Sequence, residues 1–149
     1  LRCVSRPYMF TASMSPANVA SVLEAVHQIE KRPELRQALW RNSSLLYDRL
    51  DQLGFELCAD MGPIIAVKMP SVEDAVMSWN WLIQEGVYVN LAIPPGTPNA
   101  ASLLRLSISA AHSVEEIGEI GEIFSRLAET RRDAMKAPSD SSPKSPLPV

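Results

Sequence analysis

A chain of 149 residues suffices for one domain with a real core, or for a small domain with added elements. A hydrophobic content of 46% against 21% charged is ordinary for a globular protein, and a net charge of −3 argues against nucleic-acid binding through a basic surface. No apolar run is long enough to cross a membrane, and Cys3 and Cys58 show neither metal-ligand spacing nor a disulfide scaffold, so the cytoplasm is the default location.

The chain opens on Leu-Arg-Cys-Val-Ser-Arg-Pro-Tyr, which reads as mid-protein sequence and sets the expectation of a C-terminal fragment. Tyr8 to Ala12 is a short β-prone run. Ser15-Pro16 reads as an N-cap followed by a first-turn proline, and Val19, Val22, Leu23, Val26 and Ile29 follow at helical spacing. A second helix is expected from Pro33, with Leu35, Leu39, Asn42, Leu46, Leu50 and Leu53 as its stripe and Gly54 as its C′ residue. Both stripes need a surface to pack on.

From Phe55 the pattern changes. Ile64 to Val67 is a predicted strand ending by Pro70, and Ser71-Val72-Glu73-Asp74 resembles a capping box. Val72, Ala75, Val76, Trp79, Leu82 and Ile83 mark a helix closed by Gly86. Trp79 and Trp81 are expected to serve packing. Val87–Leu91 is a second predicted strand, and Pro94-Pro95-Gly96-Thr97-Pro98 a rigid irregular loop. Leu103–Ser109 is a third strand. Ser113-Val114-Glu115-Glu116 is a full capping box opening a helix with Ile117, Ile120, Phe124 and Leu127. Apolar periodicity stops at Asp133, and the serine- and proline-rich run Ser139–Val149 has the composition of a disordered tail. The order strand, helix, strand, strand, helix is that of an α+β layer: a small sheet with helices on one face.

Arg105 stands out chemically. Strand alternation puts Leu104, Leu106 and Ile108 on one face and Arg105 with Ser107 on the other. A guanidinium is permanently charged and offers a planar fork suited to a carboxylate or phosphate. The plain alternative is a solvated strand residue, since arginines are mostly exposed. Thr11 and Ser13 are small hydroxyl residues ahead of a helix start, where free amides can hold a phosphate or simply form a turn. His27 and His112 suit structural roles, His112 a local turn. There is no recognisable nucleophile–histidine set and no glycine-rich phosphate loop.

Three stretches, in order and at matching spacing, give these residues a context: Ser5-Arg6-Pro7-Tyr8-Met9-Phe10-Thr11-Ala12-Ser13, Glu85-Gly86-Val87-Tyr88-Val89-Asn90 through Pro98, and Leu104-Arg105-Leu106-Ser107-Ile108-Ser109-Ala110-Ala111-His112-Ser113. Together they resemble the α-oxoamine synthases, pyridoxal-phosphate enzymes of fold type I, over about Leu1 to Leu127. The Arg-Pro-Tyr and Val-Tyr-Val-Asn segments are most similar to the branch that acts on serine.

The resemblance implies an α/β parent of which this chain is an α+β portion. Residues 1–54 would be the end of a large domain with interdomain helices, 55–132 a C-terminal small domain, and 133–149 a tail outside the likeness. It also implies a homodimer that condenses an amino acid (serine, glycine or alanine) with an acyl-CoA, losing carbon dioxide to leave a 2-amino ketone. The Schiff-base lysine of the family would precede the first stretch; none of Lys31, Lys68, Lys136 and Lys144 matches it, so this chain would hold no catalytic residue. Thr11, Ala12 and Ser13 would approach the pyridoxal 5'-phosphate phosphate across the dimer interface. Arg105 would bind the amino-acid carboxylate, and Gly96 would lie in the loop at the substrate entrance. The family often has an arginine just before the Pro-Pro pair; Ile93 stands there, leaving Arg105 as the only matched cation. Outside the family, the same layer could be a non-catalytic sensing or oligomerisation module with Arg105 reading an anion, and within it the chain could come from an inactive partner subunit.

Overall fold

The structure, a computed structural model, describes residues 14–136, with side chains through 133. Contacts divide the chain into two units, Leu1–Gln37 and Ala38–Val149. The first described element is helix α1, Pro16–Lys31. Pro16 begins it as expected, and the Ser15 carbonyl accepts from the Val19 amide at 3.1 Å, but the Ser15 hydroxyl makes no cap bond. Pro16 has no N–H to satisfy, which lowers the demand for a side-chain acceptor at this end. Val19, Val22, Leu23, Val26 and Ile29 are 44–63% exposed, and α1 buries no residue.

Helix α2, Pro33–Gln52, runs across the division between the units. In the second unit it buries Asn42, Ser43, Leu46 and Leu50. Gly54, at φ +83°, ends it in the left-handed conformation that favours glycine, and the Phe55 amide bonds back to the Leu50 carbonyl at 3.2 Å. The next residues pair with strand β1, Ile64–Met69: the Cys58 amide donates to the Ala66 carbonyl at 3.0 Å, and the Lys68 amide to Glu56 at 2.8 Å. This pairing escapes a sequence reading because Glu56 to Cys58 is too short to show alternation.

Helix α3, Val72–Gln84, is capped as expected. The Asp74 amide donates to Ser71 Oγ at 3.0 Å, while Ser71 Oγ donates to the Asp74 carboxylate at 2.7 Å. Strand β2 is Asn90–Ala92, shorter and later than the expected Val87–Leu91. The polar groups of that stretch are engaged elsewhere. The Val87 amide bonds to Leu82 at 2.8 Å, and the Val89 carbonyl accepts from the Trp79 indole at 2.9 Å. Strand β3, Ser102–Ser107, completes the sheet in the order β1-β3-β2, antiparallel throughout. It stops short of the expected Ser109, although the Ile108 amide still reaches the Pro63 carbonyl at 2.8 Å. Helix α4, Val114–Lys136, opens on a reciprocal capping box. The Ser113 amide donates to the Glu116 carboxylate at 2.7 Å, and the Glu116 amide to Ser113 Oγ at 3.1 Å.

One sheet face is apolar. Ile65, Val67, Met69, Leu104 and Leu106 are buried with Leu46 and Leu50 of α2, Ala75 and Leu82 of α3, and Ile117, Phe124 and Leu127 of α4. Phe55 and Phe124 meet edge to face at 5.6 Å. Asn42 is one of the polar residues of this interior and, like Ser43, is fully buried. Its amide Nδ2 donates to the Ser109 carbonyl at 3.1 Å and to the His112 carbonyl at 2.8 Å, tying α2 to the turn between β3 and α4. Asn42→Ala removes the donor that both the Ser109 and the His112 carbonyls accept from and leaves a gap in the interior. We expect a loss of about 1–3 kcal/mol in chemical denaturation, against no more than about 0.5 kcal/mol for the surface change Ser44→Ala.

Candidate functional site

The site forms on the sheet face opposite this core. Because side chains alternate along a strand, burying Leu104 and Leu106 forces Arg105 outward, where it is exposed. The register sets its neighbours: Arg105 lies opposite Ala66 of β1 on one side and Asn90 of β2 on the other. Directly opposite residues of an antiparallel pair share a face. Ala66 is small and leaves the guanidinium room, while Asn90 brings an amide beside it. Arg32, Arg49 and Arg126 each reach a carboxylate, at 3.1, 2.9 and 2.6 Å. Arg105 pairs with none among the described residues.

The strand leaves the site through a fixed turn. The Ser109 amide donates to His112 Nδ1 at 3.1 Å, the Ala111 amide to Ser109 Oγ at 3.1 Å, and the two Asn42 bonds hold the turn from below. His112 thus has the turn role expected of it.

At the other end of the sheet the Pro94-Pro95 loop begins just past the Ala92–Leu103 pair, about 7 Å along the strands from Arg105. The Pro94–Pro95 bond is cis, and the Gly96 amide closes the turn onto the Ile93 carbonyl at 3.0 Å. Thr97 Oγ1 donates to the Ala101 carbonyl at 2.6 Å. Gly96 is exposed and Ile93 half-buried. Arg105 and the Gly96 loop are therefore carried by one sheet. Thr11, Ala12 and Ser13 lie outside the described residues, as does the run Ser139–Val149.

Sequence reading missed Asn90 and Tyr88 as members of this face. Tyr88 is 77% exposed, and its hydroxyl donates to Asn90 Oδ1 at 3.4 Å. Nothing in the local sequence says that Asn90 will sit opposite Arg105; only the pairing of β2 with β3 does. Two clefts lie elsewhere. A cavity of about 330 Å³ lies between α3 and α4, lined by Met77, Trp81 and Leu127, and one of about 490 Å³ lies beside Tyr88 and His112. Arg105 lines neither. Among the described residues no set of histidine, cysteine and carboxylate side chains could hold a metal, and no helix is long and apolar enough to cross a membrane.

A second cluster lies on the opposite edge of β1. Lys68 Nζ bonds Glu56 Oε1 at 2.6 Å, and this bond, then the carboxylate charge, raises the lysine pKa. The pair is exposed, and such pairs add little stability. The nearby Cys58 thiol is pushed above its ordinary pKa, first by partial burial and then by the Glu56 charge, with Lys68 opposing.

Residues 1–124 match the model of the family described as aminotransferase class I and II. The chain is 45% identical over 139 residues to a serine palmitoyltransferase of Caulobacter vibrioides, covering 89% of this chain and 34% of that protein. It is 34% identical over 127 residues to a 2-amino-3-ketobutyrate coenzyme A ligase of Escherichia coli, covering 85% of this chain and 32% of that protein. A solved serine palmitoyltransferase structure containing pyridoxal phosphate superposes with a TM-score of 0.77 at 36% identity, covering 87% of this chain and 33% of that one. The chain spans about a third of the length of the curated relatives it matches.

The raised thiol pKa has a chemical consequence, because the thiolate is the reactive form. At about pH 8, Cys58 alkylation, followed by mass spectrometry of its peptide, is expected to run slower than that of a small free thiol with a pKa of about 8.5. Glu56→Gln removes a charge that raises the pKa and frees Lys68 to lower it, so the rate should rise a few-fold. A rate unchanged by Glu56→Gln would show that this carboxylate does not act on the thiol.

Proposed function

The chain belongs to the aminotransferase class I and II family, among its α-oxoamine synthases, and from that premise we propose that it is the C-terminal part of a pyridoxal-phosphate-dependent acyltransferase. On this reading the whole enzyme condenses an amino acid with an acyl-CoA and releases carbon dioxide, giving a 2-amino ketone. Serine is the preferred amino acid of the proposal, in keeping with the names of the relatives at 45% and 36% identity. The reading includes a homodimer, in the cytoplasm where acyl-CoA is supplied.

The observation that carries it is Arg105, outward-facing on β3, without a carboxylate partner among the described residues and held in register by β1 and β2. A bidentate guanidinium fixes a carboxylate in direction as well as in place. Direction matters because a bond at the substrate's Cα breaks most easily when it stands perpendicular to the cofactor ring. When bound, pyridoxal phosphate supplies the electron sink, and the protein supplies orientation. Arg105 does this from a rigid strand whose exit turn is anchored by Asn42, so little orienting precision is lost to backbone motion. Thr11, Ala12 and Ser13 are the residues proposed to meet the cofactor phosphate, and Gly96 to line the substrate entrance. The lysine that would hold the cofactor is assigned to the part of the enzyme that this chain does not span.

Arg105→Ala in the complete enzyme should weaken amino-acid binding by about 1.5–3 kcal/mol, roughly 10- to 150-fold, with acyl-CoA binding little changed. An amino-acid KM and turnover equal to wild type would remove Arg105 from this role. Separately, borohydride treatment of this chain mixed with pyridoxal phosphate should leave no label concentrated on one lysine. Stoichiometric labelling of a single site, mapped by mass spectrometry, would contradict the assignment of the cofactor lysine elsewhere.

A further inference from the structure

We propose that Asn90 is a second carboxylate-directed donor beside Arg105, and so a specificity-determining residue for substrates bearing a free carboxylate. The inference rests on the proposed role of Arg105 and extends it to a residue of the neighbouring strand.

Three observations support it. First, of the residues paired opposite Arg105, Ala66 has no polar side chain, so Asn90 is the polar group the register brings to the guanidinium. Directly opposed side chains have Cβ atoms about 4.5–5.5 Å apart, close enough for one carboxylate to span both. Second, the Tyr88 hydroxyl donates to Asn90 Oδ1 at 3.4 Å. That bond turns the acceptor end of the amide toward Tyr88 and leaves Nδ2 as the free end. Among the described residues Nδ2 donates to nothing, in contrast to the Nδ2 of Asn42, which is fully used. Third, Asn90 is half-buried, whereas Tyr88 is 77% exposed. The tyrosine can be trimmed with little packing loss, so the orienting bond can be tested apart from the fold.

The chemistry is complementary. A carboxylate has about four lone-pair sites and a guanidinium fork uses two of them, leaving an outer one for an amide N–H. The amide is neutral and does not compete for Arg105. An aspartate at position 90 would do the opposite: it would pair with Arg105 and repel the incoming carboxylate.

The test compares L-serine with ethanolamine, its decarboxylated counterpart, in the complete enzyme loaded with pyridoxal phosphate. Binding is followed through the cofactor's absorbance, and thermal melting monitors the fold. Asn90→Ala should weaken serine binding about 10-fold and leave ethanolamine unchanged. Asn90→Asp should weaken serine at least as strongly as Arg105→Ala, again sparing ethanolamine. Tyr88→Phe should weaken serine a few-fold by releasing the amide orientation, at unchanged melting temperature. Equal losses for serine and ethanolamine in Asn90→Ala would mark Asn90 as packing only and overturn the proposal. So would unchanged serine binding in both Asn90→Ala and Tyr88→Phe while Arg105→Ala is impaired. If Arg105→Ala also binds serine normally, it is the carboxylate reading of the whole face that falls.

Discussion

Strand β3 is paired on both edges, and its side-chain period of two forbids a slip of register. Shifting it by one residue would drive Arg105 into the space held by Leu104 and Leu106 and expose both leucines. Burying an unpaired guanidinium there costs far more than any hydrogen bond the slipped ladder could recover. The apolar face thus dictates, by exclusion, where the cation points. The same constraint selects Ala66 and Asn90 as its neighbours, since β1 and β2 are held to β3 by the same face.

Rigidity reaches the site from below. Asn42 is a fully buried amide in a helix stripe that is otherwise mostly leucine, and its two donated bonds close the turn that follows β3. A buried polar group is tolerated only when satisfied, and here satisfaction means joining α2 to the strand's exit. The capping boxes at Ser71 and Ser113 then start α3 and α4 at defined points, so the helices that cover the apolar face cannot drift along it.

The face that carries Arg105 is open, and α1 displays an apolar stripe. Both features suit a chain that spans a third of the length of its relatives. A substrate orienter on a bare sheet face performs no reaction alone. It becomes useful beside a cofactor held by other residues, which is the division of labour proposed for this family member.

Much was legible in one dimension. Gly54, Gly86, Ser71 and Ser113 mark helix ends because their chemistry is local: a left-handed residue or a hydroxyl three positions from an amide. Arg105 was visible because a charge within an alternating apolar run must take the opposite face. The length of β2 was not legible, since Val87 and Val89 have strand-like side chains, but the Val87 amide closes the end of α3 on Leu82 and the Val89 carbonyl is taken by the Trp79 indole, which only the packing of α3 brings near. Nor were the partners of Asn42 and the place of Asn90, both set by residues far along the chain. Sequence by itself determined which groups are charged, capped and outward-facing, because those depend on near neighbours. Tertiary structure alone decided which of them stand side by side, because strand pairing and helix packing join distant segments through the burial of a shared apolar face.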